Sequence, residues 1–153
     1  MEEKLIEKTP NGLVKLRIVD DEVVETVWAQ PLANDTYRLR NLLFFVYGYA
    51  FDDVVRAEQT SGEFPTVTSI VTRSGHSAYR VFLCDSATNI EDVPSWLALE
   101  EIGCTFERAS ENLYAIDVPP ESDVYRVYVD LEHGESSKFW SFEEVFCGHV
   151  IKH

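Results

Sequence analysis

The chain has 153 residues, of which 45% are hydrophobic, so it can bury a core, and this argues against a disordered chain. The net charge is -14, from 27 acidic and 13 basic residues, and no run of Lys or Arg occurs. This charge argues against nucleic acid and an anionic membrane as partners, because both attract basic patches. An acidic surface instead suits a basic protein partner, or it serves only to keep the chain soluble.

The first half of the chain has the short, alternating segments of a β-rich fold. Strands are predicted at residues 13–19, 23–29, 36–40, 54–58 and 66–72. A dense apolar run, residues 42–49, lies between the third and fourth of these strands. Five or six short strands at this spacing predict a small antiparallel β-barrel-like sheet.

Aromatic residues are concentrated in and just after that apolar run. They stand at Phe44, Phe45, Tyr47, Tyr49 and Phe51. Their near-alternate spacing is typical of a core divided between two packed faces. A ligand pocket or a partner-binding patch is the alternative interpretation.

The second half begins with a predicted strand at residues 78–84 and continues into a helix. Asp92 is the expected N-cap of this helix, Pro94 lies in its first turn and Gly103 ends it. Strands are then predicted at residues 105–109 and 113–118.

A second helix is predicted after Pro119-Pro120, with Gly134 as its stop. Its apolar face follows helical spacing at Val124, Val127, Tyr128 and Leu131. The apolar residues 124–131 are also compatible with a strand. The Pro119-Pro120 pair before them and Gly134 after them favour the helix. A final strand is predicted at residues 139–147.

The predicted fold class is α+β. The N-terminal barrel-like half, residues 1–75, is followed by a ferredoxin-like β-α-β-β-α-β half, residues 76–153. The open face of the second sheet must pack on something, and the first half is the expected cover. The two halves are therefore either separate domains or one fused domain.

Residues 72–80 combine a turn, two serines, a histidine and two arginines. As a functional loop, it would bind an anion between Arg73 and Arg80, or place Ser74 or Ser77 as a nucleophile beside His76. As a structural feature, it is a turn between strands, and Arg80 is paired across the sheet. The structural interpretation is favoured.

The ferredoxin-like plan makes the first and last strands of the second half neighbours. It therefore predicts an ion pair of Arg80 with Glu143 or Glu144. It also brings His76 towards Cys147 and His149, to which His153 on the tail could add a zinc ligand. Because paired ligand motifs are missing, no metal, cofactor or catalytic residue is predicted.

The remaining polar features are interpreted as structural. Adjacent carboxylates are expected on the solvated surface, at Asp20-Asp21, Asp52-Asp53, Glu100-Glu101 and Glu143-Glu144. The three cysteines are expected to be buried as small hydrophobes, at Cys84, Cys104 and Cys147. Without a disulfide framework, an evident secretory signal or a long apolar run, the chain is expected to be cytoplasmic.

Several segments in order resemble one known family. They are VWA at 27–29, YRLRN at 37–41, FFVYG at 44–48, DDVV at 52–55, RSGHSAYRV at 73–81, GC at 103–104, AIDVPP at 115–120 and GH at 148–149. The chain thereby resembles the bacterial family Domain of Unknown Function 4265. It departs at Leu42-Leu43, where the family pattern has a Pro before the first Phe. The resemblance implies a bacterial cytoplasmic protein and supplies no reaction.

These observations favour a non-enzymatic, acidic binding protein, such as an immunity or antitoxin protein that neutralises a basic toxin enzyme. The alternatives are an anion or small-molecule sensor that uses the Arg73–Arg80 loop, and a hydrolase that depends on His76. The oligomeric state stays open. The candidate ligand- or partner-binding residues are Arg73, Ser74, His76, Arg80, Glu143, Glu144 and His149.

Overall fold

A computed structural model describes residues 11–152 of the chain. It has mixed α+β architecture, with a closed barrel followed by a four-stranded sheet and two helices. In chain order, the elements are β1 (Val14–Asp20), β2 (Val23–Pro31), β3 (Thr36–Leu39), β4 (Val54–Glu58), β5 (Thr66–Thr72), β6 (Ser77–Leu83), α1 (Pro94–Ile102), β7 (Thr105–Arg108), β8 (Leu113–Val118), α2 (Val124–Ser136) and β9 (Trp140–Phe146). The α+β class and the barrel are thus confirmed.

The barrel is closed by strands β1 to β5 in sequence order. Consecutive strands pair antiparallel, whereas β1 and β5 close the barrel as a parallel pair at Arg17 and Thr66. Alternate residues point inwards, and Leu16, Val27 and Leu39 are among those that form the barrel core. Closure leaves the sheet without a free edge.

The second sheet has the strand order β7-β8-β6-β9 with antiparallel neighbours. Helices α1 and α2 contribute to its larger core through residues such as Trp96, Leu99, Val127 and Leu131. Segment 124–131 is therefore helical and not a strand. Neither helix in the described part of the chain is long and apolar enough to span a bilayer.

Three expectations about the helices were wrong, two on their boundaries and one on a buried face. Helix α1 begins after Val93, which makes no side-chain cap bond, because Asp92 ends a short 3-10 helix instead of capping α1. Helix α2 continues past Gly134 to Ser136. Gly134 serves packing, since a Cβ there would lie 2.1 Å from the Trp140 ring. Tyr128 was expected in the core but is 47% exposed.

The expected exposure of Asp53 and the expected burial of Cys84 were also wrong. Asp53 is completely buried, although the Asp52-Asp53 pair was expected on the solvated surface. Its carboxylate is held by hydrogen bonds, as described below, and these compensate for lost hydration. Of the cysteines, Cys104 is buried, Cys147 is partly buried and Cys84 is exposed, and all three are free thiols.

The segment between β3 and β4, residues 40–53, is irregular and links the two sheets; we call it the junction loop. Its Leu42 packs with Ala78, Ala115 and Val145 of the second sheet in one small buried cluster. The backbone amide of Gly48 also donates to the carbonyl of Val145 at 3.0 Å. The junction loop thus covers part of the second sheet, while the domain boundary at residues 75–76 stays a prediction.

Candidate functional site

Arg80 lies on β6 with its side chain almost fully buried beneath the junction loop. Its Nε donates to Glu143 Oε1 on β9 at 2.8 Å, which confirms the predicted cross-strand ion pair. Its Nη1 donates to the Val46 carbonyl at 3.2 Å, and its guanidinium lies 4.4 Å from the centre of the Tyr47 ring. The buried charge is therefore compensated by a carboxylate, backbone oxygen and an aromatic face.

Tyr47 closes the same network from the solvent side. Its hydroxyl donates to Glu143 Oε2 at 2.6 Å. The hydrogen bond to Glu143 raises the pKa of Tyr47, and Arg80 opposes this effect. One end of the junction loop is thus attached to the second sheet through Arg80 and Glu143.

Glu25 holds the loop from the barrel side. It occupies an inward position on β2 and is buried. Its carboxylate accepts three consecutive backbone amides, from Phe44 at 2.6 Å, Phe45 at 3.1 Å and Val46 at 3.0 Å. Hydrogen bonds to a charged acceptor are stronger than neutral ones, so this residue fixes the local backbone.

Asp53 fixes the other end of the loop. It accepts the amides of Ala50 and Ser74, both at 2.9 Å, and Arg73 Nη1 at 3.0 Å. Arg73 also donates to the Gly48 carbonyl at 2.7 Å. The two proposed anion clamps, Arg73 and Arg80, are therefore each paired with a carboxylate, and this arrangement disfavours a free anion between them.

His76 faces carboxylates on two sides. Its Nδ1 lies 2.7 Å from Asp117 Oδ1 on β8, and its Nε2 lies 4.0 Å from Asp52 Oδ2. Burial raises the pKa of Asp117, and the hydrogen bond with His76 partly offsets the rise. Asp117 could orient His76 as in a catalytic triad, but Nε2 faces Asp52 and not a hydroxyl.

The two serines near His76 have structural partners. The Ser74 hydroxyl donates to the Phe51 carbonyl at 2.6 Å. Ser77 is completely buried, and its oxygen accepts the amides of Gly148 at 2.9 Å and His149 at 3.3 Å. A buried hydroxyl that already accepts two hydrogen bonds is a poor nucleophile, so the geometry gives the hydrolase little support.

His149 is held by two neutral partners. Its Nε2 lies 3.0 Å from the Pro119 carbonyl and must donate to it, so its Nδ1 accepts the Ser77 hydroxyl at 2.6 Å. No group of three or more potential ligands that could hold a metal occurs among residues 11–152. His153, the fourth potential ligand, lies outside the described residues.

The candidate residues therefore form several small groups and not one site, although the His76 amide donates to Ser74 Oγ at 3.2 Å. Arg73 and Ser74 belong to the Asp53 cluster, Arg80 and Glu143 to the network under Tyr47, and His76 to the pair with Asp117. His149 belongs to a further cluster with Ser77. Glu144 is exposed beside Tyr79, whose hydroxyl lies 3.4 Å from its Oε1.

Sequence reasoning missed Glu25 and Asp117 as partners. Glu25 stands in phase with the buried Val27 and Ala29 of β2, so a charged residue at an inward position was an available signal. Asp117 lies within the fully buried strand β8, where a carboxylate requires a partner. Neither signal identifies the partner, since both partners are distant in sequence.

Comparison with protein families identifies the family of this chain. A family model described as Domain of unknown function (DUF4265) matches residues 25–142. The chain belongs to this family, as the sequence resemblance predicted. Glu143, Glu144 and His149 lie beyond the matched range.

One solved structure shares the fold. It is described as a novel crystal structure of a hypothetical protein from Neisseria gonorrhoeae. The superposition has a TM-score of 0.77 at 18% sequence identity and covers 89% of this chain and 96% of that one. The comparison with curated proteins found no match.

Proposed function

We propose that this chain is a non-enzymatic binding protein of the immunity or antitoxin type, and that its partner is a basic enzyme. The observation that supports this most is the display of two aromatic side chains by the junction loop. Phe45 is 60% exposed and Tyr47 is 49% exposed, and we call this pair the aromatic tip. The aromatic tip would be the anchor for the partner.

The backbone under the aromatic tip is fixed by buried charges. Glu25 accepts the amide of Phe45 itself, and Arg80 donates to the carbonyl of Val46 between the two aromatic residues. An anchor that is ordered before binding loses little conformational entropy when it binds. Exposed aromatic residues also dominate the binding energy of many protein interfaces.

The charge of the chain supports a basic partner. Its net charge of -14 creates a field that attracts a positively charged protein. The arginines near the aromatic tip do not reverse this field, because Arg73 and Arg80 are paired with Asp53 and Glu143. Attraction of this type accelerates association and is screened by salt.

Two further features belong to the proposal. We propose a cytoplasmic location, which is supported by the three free thiols, Cys84, Cys104 and Cys147. We also propose that the second half follows the ferredoxin-like plan. The strand order β7-β8-β6-β9, with one helix before β7 and another before β9, supports that plan.

Capture from a bacterial lysate at low and high salt tests the proposal. The tagged chain should retain a basic enzyme at low salt, release it at high salt and inhibit its activity. Phe45→Ser should weaken that complex at least about tenfold, since it removes an aromatic anchor. Leu97→Ser is the matched control, because Leu97 is an exposed apolar residue of α1, 47% exposed.

The proposal fails if Phe45→Ser and Leu97→Ser bind the captured enzyme equally well. It also fails if the captured enzyme keeps its full activity in the complex. Both variants must unfold at the same urea concentration as the unmodified chain, so that a loss of binding reports on the surface and not on folding.

A further inference from the structure

A groove of about 470 Å³ lies between the start of α2, the sheet and the segment after β9. This volume falls within the range of small-molecule sites. Its lining includes the exposed side chains of Tyr125 and Tyr128 of α2 and of Ile151, together with Tyr79 of β6, which is only 2% exposed. The groove is separate from the aromatic tip and from the His76 and Arg80 clusters.

Among the described residues that line the groove, Glu144 alone carries a formal charge at neutral pH. No lining Lys, Arg or His in that set would compensate an anion. A neutral apolar ligand would cover the Glu144 carboxylate and provide no partner, which is costly. A cation would pair with the carboxylate and also face the negative surfaces of the tyrosine rings.

The three aromatic residues are held in place before any ligand enters. The Tyr79 hydroxyl lies 3.4 Å from Glu144 Oε1, and burial raises the pKa of Tyr79, so the phenol stays neutral. Tyr128 packs edge-on against Phe142 with ring centres 5.5 Å apart. Tyr125 accepts the backbone amide of Lys152 through its hydroxyl. A preformed site binds at a lower entropic cost.

We propose that this groove is a binding site for a small organic cation of the alkylammonium class. The exposed rings of Tyr125 and Tyr128 would contact the methyl groups, and Glu144, which is held by the Tyr79 hydroxyl, would neutralise the charge. Two exposed tyrosine rings beside one carboxylate match the chemistry by which aromatic side chains hold quaternary ammonium groups. The inference does not depend on the proposed protein partner.

Titration of the full chain with choline, followed by NMR chemical shifts, tests the site. Choline should cause saturable shifts that are confined to residues lining the groove. Its neutral isostere, 3,3-dimethylbutan-1-ol, should bind at least about tenfold more weakly, because it has the same shape without the charge. Ionic strength is matched with sodium chloride throughout.

Two variants assign the contributions of charge and ring. Glu144→Gln should raise the Kd for choline about tenfold, and Tyr128→Leu roughly two- to fivefold. Glu132→Gln is the control, because it makes the same change in net charge at an exposed position of α2 that does not line the groove. The variants are compared only where their spectra show the native fold.

Three results would overturn the proposal. One is the absence of saturable shifts with choline, tetramethylammonium and benzyltrimethylammonium. Another is equal affinity for choline and its neutral isostere, which would make the groove merely apolar. The third is an equal loss of affinity in Glu144→Gln and Glu132→Gln, which would assign binding to the overall field of the chain.

Discussion

The molecule exposes aromatic side chains in two regions that differ in how they are held. In the aromatic tip, Phe45 and Tyr47 are 60% and 49% exposed, and in α2, Tyr125 and Tyr128 are each 47% exposed. The helix orients its side chains through its own backbone hydrogen bonds. The junction loop has no such ladder and relies on buried Glu25 and Arg80. A single substitution can therefore disorganise the loop but not the helix face.

Replacement of Arg80 by Met should have the largest effect on this difference. Met leaves the Val46 carbonyl without its donor, and it leaves Glu143 with the Tyr47 hydroxyl but without its ion-pair partner. Arg80 is the buried member of this pair, whereas the Glu143 side chain is 34% exposed. The buried Val46 carbonyl loses its donor and the ion pair is lost, so we expect a decrease of about 3 kcal/mol in the free energy of unfolding, measured in urea.

Arg126→Met on α2 is the matched control, because Arg126 is exposed. Its effect should stay within about 0.5 kcal/mol, as is usual for surface substitutions. If the two Arg→Met variants lose similar stability, the buried arginine does not hold the junction loop.

Replacement of Glu25 by Gln should have the next largest effect. The amide keeps the shape of the carboxylate and one oxygen for the amides of Phe45 and Val46, but it directs an NH2 group at the backbone amide of Phe44. An unsatisfied buried donor costs about 2 kcal/mol, and the amide signals of Phe44, Phe45 and Val46 should shift most in the NMR spectrum.

Glu22→Gln in the turn between β1 and β2 removes the same charge from an exposed position. It should leave both stability and the signals of residues 44–46 unchanged. Equal spectra for Glu25→Gln and Glu22→Gln would contradict the role given to Glu25.

The smallest effect concerns pH near the far end of the junction loop, where Asp117 contacts His76. The pKa of Asp117 is raised in the folded state, so the folded chain holds this proton more tightly than the unfolded chain. At pH values between the ordinary pKa of an aspartate and the raised pKa of Asp117, the contribution of Asp117 to the free energy of unfolding therefore increases as the pH falls.

Unfolding of the unmodified chain and Asp117→Asn across this acidic range measures the effect. The unmodified chain should gain stability relative to the variant as pH falls through that window. Asp92→Asn, at an exposed position, provides the control for the change in net charge. A relative loss upon acidification would show that the sign given to the Asp117 pKa shift is wrong.

Local patterns predicted the regular elements well. Short segments rich in apolar and β-branched residues, bounded by turn residues, located β1 to β9 within a few residues. Gly103 was correctly predicted as the end of α1, where its positive φ of 112° suits glycine. Asp123, which caps α2 by accepting the amides of Tyr125 and Arg126, agrees with the helical interpretation of that segment.

The junction loop was beyond the reach of local patterns. Its apolar residues pack against two sheets at once, so their spacing follows neither the strand nor the helix period. The parallel pairing of Arg17 with Thr66, which closes the barrel, joins residues far apart in sequence. Partners such as Asp53 with Arg73 are likewise set by the tertiary fold, which explains why Asp53 was wrongly expected in solvent.

Hydroxyl-radical footprinting of the aromatic side chains, with and without the captured basic enzyme, tests the central claim most directly. The proposal predicts that Phe45 and Tyr47 become protected in the complex, whereas labelling of Tyr125 and Tyr128 stays unchanged. Protection of Tyr125 and Tyr128, with Phe45 and Tyr47 still labelled, would place the partner on α2 and contradict the role of the aromatic tip.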